Sequence, residues 1–117
     1  MIKTPQEEDL FLMSNLSPRL TGLPFVVWIS PKGNARHDVR VKVAAGPKVN
    51  PDDWTTVALR PQVRVLYGVM PAKDLEALAQ WVALNLDTLV QFWDGAIEYT
   101  EDVLARLKPL PARKASK

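Results

Sequence analysis

The stretch from Pro71 to Asp94, PAKDLEALAQWVALNLDTLVQFWD, constrains the fold more than any other part of the chain. Leu75, Leu78, Val82, Leu89 and Trp93 recur at three- and four-residue steps or their sum, which lays one apolar stripe along a helix. Trp81, Leu84 and Phe92 widen that stripe. At roughly 3.6 residues per turn the helix has about six turns. Pro71 suits the first helical position, where no backbone donor is needed, and Gly95 suits the left-handed residue just past the end. A helix with so broad a stripe must lie on a second layer.

The preceding segment supplies that layer. Leu23 to Ser30, LPFVVWIS, is β-branched and aromatic and is bounded by Gly22 and Pro31, so a strand is predicted over 23–30. Both of its faces are apolar, with Phe25, Val27 and Ile29 on one and Val26 and Trp28 on the other. Pro31-Lys32-Gly33-Asn34 is a turn. A second strand follows over 38–44, where Val39, Val41 and Val43 alternate with Arg40 and Lys42. The short turn between the two predicts an antiparallel hairpin. Ala45 to Trp54 reads as a loop, broken by Gly46, Pro47, Asn50 and Pro51.

Thr55 to Tyr67 can be read as one strand or two. Val57, Leu59, Val63, Val65 and Tyr67 keep one phase through Pro61. A two-residue hairpin loop would shift that phase, and no Gly or Asn serves a three-residue loop. One long strand over 55–67 is therefore expected, with Pro61 marking it as an edge. Its other face carries Thr56, Ala58, Arg60, Gln62 and Arg64. A short helix is predicted over 101–108, with Thr100 as N-cap, Glu101 and Asp102 in the first turn, and Arg106 and Lys108 in the last. Val103, Leu104 and Leu107 would pack inward.

The expected fold is thus α+β: a three-stranded antiparallel meander packed on one face by a long helix (71–94) and a short C-terminal helix (101–108). Residues 1–18 are expected to be a mobile arm, 19–108 a single domain, and 109–117 a basic disordered tail. At 117 residues the chain can bury a core without metal or disulfide help.

Charge is segregated. Residues 1–18 carry −2, 19–64 carry +5, 65–105 carry −6 and 106–117 carry +5, around a net +2. Two halves of one domain that attract each other would have this pattern, and so would a chain with a nucleic-acid or acidic-protein partner. The absence of cysteine excludes disulfide scaffolds, thiolate metal sites and cysteine nucleophiles. No apolar run approaches the roughly 20 residues of a membrane span. The start of the chain lacks the charged-then-apolar layout of a signal peptide, and a cytoplasmic location is expected.

The outer face of the sheet is the candidate site. If the valines meet the helix, Arg40, Lys42, Arg60 and Arg64 point the other way, joined by Val26 and Trp28. Basic residues around an aromatic ring can hold single-stranded nucleic acid, the cations on phosphates and the ring on a base. The same face can equally be solvated or bind a protein. A strand apolar on both sides also invites burial, by residues 8–16 or by a second copy in a symmetric dimer.

Chemistry elsewhere is sparse. His37 with Asp38 is the one imidazole–carboxylate pair, and zinc usually takes three or four protein ligands. Asp52-Asp53 and Glu101-Asp102 fit a turn and a helix start better than acid/base dyads. Phosphate loops, nucleotide-binding glycine patterns and serine elbows are absent. No cofactor, no metal and no enzymatic activity are expected. Asn85, beside the helix stripe, is either a buried anchor that hydrogen-bonds a backbone group, the favoured reading, or a residue at the stripe's edge.

The run His37-Asp38-Val39-Arg40-Val41-Lys42-Val43, with Trp81, Leu89 and Trp93 on the following helix, resembles the bacterial domain-of-unknown-function family 4160. The likeness covers about half the chain. Where that family has His and Pro residues before the second strand, this chain has Lys32-Gly33-Asn34-Ala35-Arg36. Members often sit beside toxin–antitoxin components. The resemblance implies a small regulatory or antitoxin-like binding protein rather than an enzyme.

Overall fold

The computed structural model describes residues 13–44 and 54–111. The fold is α+β, but the antiparallel meander has five strands rather than three, in the spatial order β1-β2-β3-β4-β5. These are β1 (Ser14–Leu16), β2 (Val26–Ile29), β3 (Arg40–Ala44), β4 (Thr55–Ala58) and β5 (Arg64–Tyr67). The helices are α1 (Pro18–Thr21), α2 (Ala72–Asp94) and α3 (Thr100–Arg106). Among the described residues no helix is long and apolar enough to cross a membrane.

Both additional strands have a physical reason. The expected single strand over 55–67 is two, because β4 and β5 form a hairpin in which Ala58 pairs with Arg64. Five residues, 59–63, lie between those partners, and the Arg60–Pro61 bond within them is cis. An odd loop length keeps partners at even separation. The alternation therefore runs on through the turn to Val65 as though the strand were unbroken. A register shift at Thr56/Val57 then sets Tyr67 opposite Thr56, out of the phase expected for it.

The other addition lies in the expected arm. Ser14–Leu16 pairs antiparallel with β2, with Asn15 opposite Trp28 and Leu16 opposite Val27. Ser17 then caps α1, its hydroxyl accepting from Leu20 N at 3.3 Å. Residues 14–18 thus belong to the domain, while 1–12 lie outside the described residues, as do 112–117 of the expected tail and most of the 45–54 loop.

One face of the sheet meets the helices. Val27, Val41, Val43, Val57 and Leu59 form a single core with Leu78, Trp81, Val82, Leu89, Phe92 and Trp93 of α2, and with Val103 just inside α3. At roughly 25 cal/mol per Å² of apolar surface, this layer is the main stabilising term of the fold. Leu84, expected in the stripe, is 47 % exposed, and Leu104 also faces solvent. Thr100 is the first residue of α3 rather than its cap, and its hydroxyl pairs with Ser14 Oγ at 3.3 Å, tying β1 to the helix.

The ends of α2 are closed by loops. Gly95 takes φ 87° and donates to Phe92 O at 3.2 Å, as the sequence predicts for that position. Lys32 N donates to Trp93 O at 2.8 Å, so the β2–β3 turn satisfies a carbonyl at the helix end. At the other end Gly68 turns the chain from β5 toward α2. Its φ is +92°, and a Cβ there would meet Thr55 Oγ1 at 2.8 Å, so only glycine fits.

Candidate functional site

The strand register lays out the outer face. One row crosses all five strands: Asn15, Trp28, Lys42, Thr56 and, at a bulge, Tyr67. A second row holds Arg40, Ala58 and Arg64. Alternation along β3 therefore puts Arg40 and Lys42 on the face away from the helices, as the sequence predicts.

Val26 and Trp28 lie on this face but are not open to solvent. They form a second apolar cluster with Ala44 and Trp54, against which Met13 packs. Trp28 is 5 % exposed and Trp54 8 %. Their ring centroids are 5.7 Å apart, and Lys42 Nζ sits 5.6 Å from the Trp54 centroid. The cover expected for the first strand's apolar outer side comes in part from residues 13–16, with β1 on its edge and Met13 on its face. Trp54, read as part of a loop, is the residue that sequence reasoning left out of this cluster.

The four cations differ in their surroundings. Arg60 is held in a two-pronged pair, donating from Nε and Nη2 to the two Asp38 carboxylate oxygens at 2.8 Å each. Arg64 is exposed and Arg40 half-buried. Arg40 Nε is buried and has no hydrogen-bond partner, and the same is true of Trp28 Nε1 and Trp54 Nε1. Across the paired strand positions, this face carries Arg40, Lys42 and Arg64 and no carboxylate among the described residues.

The Arg60 guanidinium holds the Asp38 carboxyl down at about 2, from the ordinary 3.8. Because the folded value is depressed, the pair's stabilisation is complete above about pH 4 and is lost as pH falls toward about 2. The two side chains are 41 % and 51 % exposed, so solvent screening keeps the contribution small. The stability gap between wild type and Asp38→Asn is expected to be small at neutral pH and to close between about pH 4 and 2. Urea melts along that range would show it, and a gap that persists at the acid end would contradict the assignment.

The pairing also settles the His37–Asp38 geometry. The Asp38 carboxylate goes to Arg60, not to the imidazole. His37 Nδ1 instead donates to the Asp38 backbone carbonyl at 2.9 Å, and the ring stacks on Trp93 at 5.3 Å between centroids. Among the described residues no group of three or more His, Asp or Glu is placed to hold a metal ion. The cleft between α1, the start of α2 and the C-terminal strap measures about 940 Å³. Pro18, Pro24, Pro109 and Pro111 line it, with Lys73 and Asp74 at its side, and they form no acid/base constellation.

The sheet has two edges, and they are unequal. β1 is three residues long and tied to α3 through Ser14. β5 has β4 on one side and no strand on the other among the described residues. Beside that edge Tyr67 is 68 % exposed and Val69 89 %.

The domain so defined is a small antiparallel meander with a helical cover on one face and a cationic, partly aromatic opposite face. No protein-family model, curated protein or solved structure matches the chain.

Proposed function

We propose that this domain is a non-enzymatic interaction module, regulatory or antitoxin-like in role, that binds a protein partner through its edge strand and outer sheet face. The observation that carries this reading is the β5 edge. Among the described residues no strand covers its outer side, beside two exposed side chains, Tyr67 and Val69, and such an edge is a template for pairing with another chain. A second copy of the domain is one partner that could use it.

The test is to place charge on the edge. Tyr67→Lys with Val69→Lys alters two exposed positions and should leave the melting temperature within a few degrees, as surface changes usually do. A partner cross-linked to β5 in cells by the wild type is expected to be lost by the double variant. Light scattering across a concentration series would report self-association in the same pair of proteins. A partner held equally by both proteins, at a site away from β5, would sink the reading.

Single-stranded nucleic acid is the second reading, favoured by the cations Arg40, Lys42 and Arg64 at paired strand positions that carry no carboxylate among the described residues. Binding of a labelled oligonucleotide that falls steeply with salt would support it, and no binding at low salt would remove it.

A further inference from the structure

We infer that the outer sheet face takes a carboxylate of an acidic segment of the partner protein, seated over Ala58 between Arg40 and Arg64. This rests on the interaction-module reading and names the chemistry of the partner.

The register carries the first part of the argument. Arg40, Ala58 and Arg64 are direct cross-strand neighbours on β3, β4 and β5. Strands lie about 4.8 Å apart, so the two arginine backbones stand about 10 Å apart with a single methyl group between them. Two long cationic side chains thus flank Ala58, which is itself only 7 % exposed, so a ligand here meets the guanidinium groups above the methyl. A carboxylate above that methyl has oxygens to offer both guanidinium groups, and charge-assisted bonds of this kind are the strong ones.

The second part is the set of unpaired donors. Buried polar groups normally have partners, and a buried donor without one costs about 1–3 kcal/mol. Four buried side-chain donors without partners occur among the described residues, and three of them, Arg40 Nε, Trp28 Nε1 and Trp54 Nε1, belong to the outer side of the sheet. Among the described residues, the paired strand positions of this side carry cations and no carboxylate. Asp38, the carboxylate two residues before Arg40, is already committed to Arg60. An incoming carboxylate supplies acceptor oxygens and negative charge to the two arginine side chains of this row.

The third part decides between a peptide and a nucleic acid. Platforms for single strands stack successive bases on exposed rings. Here Trp28 and Trp54 are buried, and of the residues in this row only Tyr67 offers an open ring. The site also adjoins the unpaired β5 edge, which suits the backbone of an extended polypeptide.

The probe is a fluorescein-labelled octapeptide of alternating Glu and Thr, compared with the same peptide carrying Gln for Glu and with oligothymidine. Fluorescence anisotropy at low salt gives affinity, and amide shifts in a nitrogen-15 spectrum give location. The Glu peptide is expected to bind about tenfold more tightly than the Gln peptide, with shifts at Ala58 and β5. Arg40→Gln and Arg64→Gln should each remove most of that difference, while Arg64→Lys should retain part of it. Equal affinity for the Glu and Gln peptides, both shifting β5, would overturn the carboxylate site and leave the interaction module standing. Failure of either peptide to shift β5 would overturn both. Tighter binding of oligothymidine, lost in the two Gln variants, would overturn the peptide assignment in favour of phosphate.

Discussion

Trp81→Ala is expected to destabilise the domain by about 3–5 kcal/mol, the range for truncating a buried aromatic. Domains of this size have roughly 5–15 kcal/mol in total, so the variant should melt far below wild type or fail to fold. The size of the effect follows from position. Trp81 is fully buried in the middle of α2, where it meets the valine face of the sheet together with Leu78, Val82 and Val103. Removing its ring opens a cavity at the seam between the layers, and a close-packed interior cannot collapse to fill it.

Trp81→Phe separates cavity from polarity. Trp81 Nε1 is buried with no partner, which itself costs about 1–3 kcal/mol. Phenylalanine leaves a smaller void and removes that donor. The two effects oppose, so this variant should lose far less than the alanine one, about 1 kcal/mol or less. Chemical denaturation of the three proteins in parallel would measure both differences. If Trp81→Ala melted like wild type, α2 would not be the lid on the sheet, and the assignment of the opposite side as the outer face would fall with it.

The sequence carried α2 and most of its stripe, though not Leu84, because periodicity is local: a stripe at helical spacing survives whatever the rest of the chain does. It carried the directions of Arg40, Lys42, Val26 and Trp28 for the same reason, since alternation decides the face of a strand. It could not show whether an outward side chain is open. Trp28 points away from the helices and is nonetheless buried, because Trp54, twenty-six positions on, packs beside it.

Arg60 is a similar case, since it lies in the turn of the β4–β5 hairpin that the alternation pattern concealed and pairs with Asp38, 22 residues back and just before β3. That hairpin was hidden by parity alone, as an odd loop leaves the phase unchanged. β1 was hidden by brevity. Three residues cannot display a period, and Ser14-Asn15-Leu16 becomes a strand only because β2 has an edge to fill. What fails to show in the sequence is thus the non-local part: which edges are covered, which charges are spent, and hence which surface remains for a partner.

Asn85 shows one non-local contact that the sequence did betray. A polar residue beside an apolar helical stripe needs a partner, and here it has a specific one. Asn85 is 2 % exposed. Its side-chain nitrogen donates to Trp81 O and to Lys108 O, both at 2.9 Å, and its side-chain oxygen accepts from Lys108 N at 2.7 Å. One amide thus satisfies both backbone groups of Lys108, as a neighbouring strand would, and fastens the segment after α3 to α2.

Leu110 N then donates to Thr21 O at 2.8 Å, and Leu110 sits so close to Gly22 that a Cβ there would meet its carbonyl at 2.8 Å. Asn85→Leu keeps the volume but leaves the Lys108 groups unpaired, and is expected to cost roughly 2–3 kcal/mol. Asn85→Asp should cost at least as much at neutral pH, because a carboxylate cannot donate to either carbonyl and its charge would be buried. Burial raises the folded-state pKa of such a group, so the aspartate variant should regain stability as pH falls and its neutral form can donate again. The leucine variant has nothing to titrate and should not recover. Denaturant melts at neutral and mildly acidic pH, with amide exchange at Leu110 as the local readout, test both statements. Equal stability of all three proteins at neutral pH would mean that the strap is held by Thr21 and packing alone.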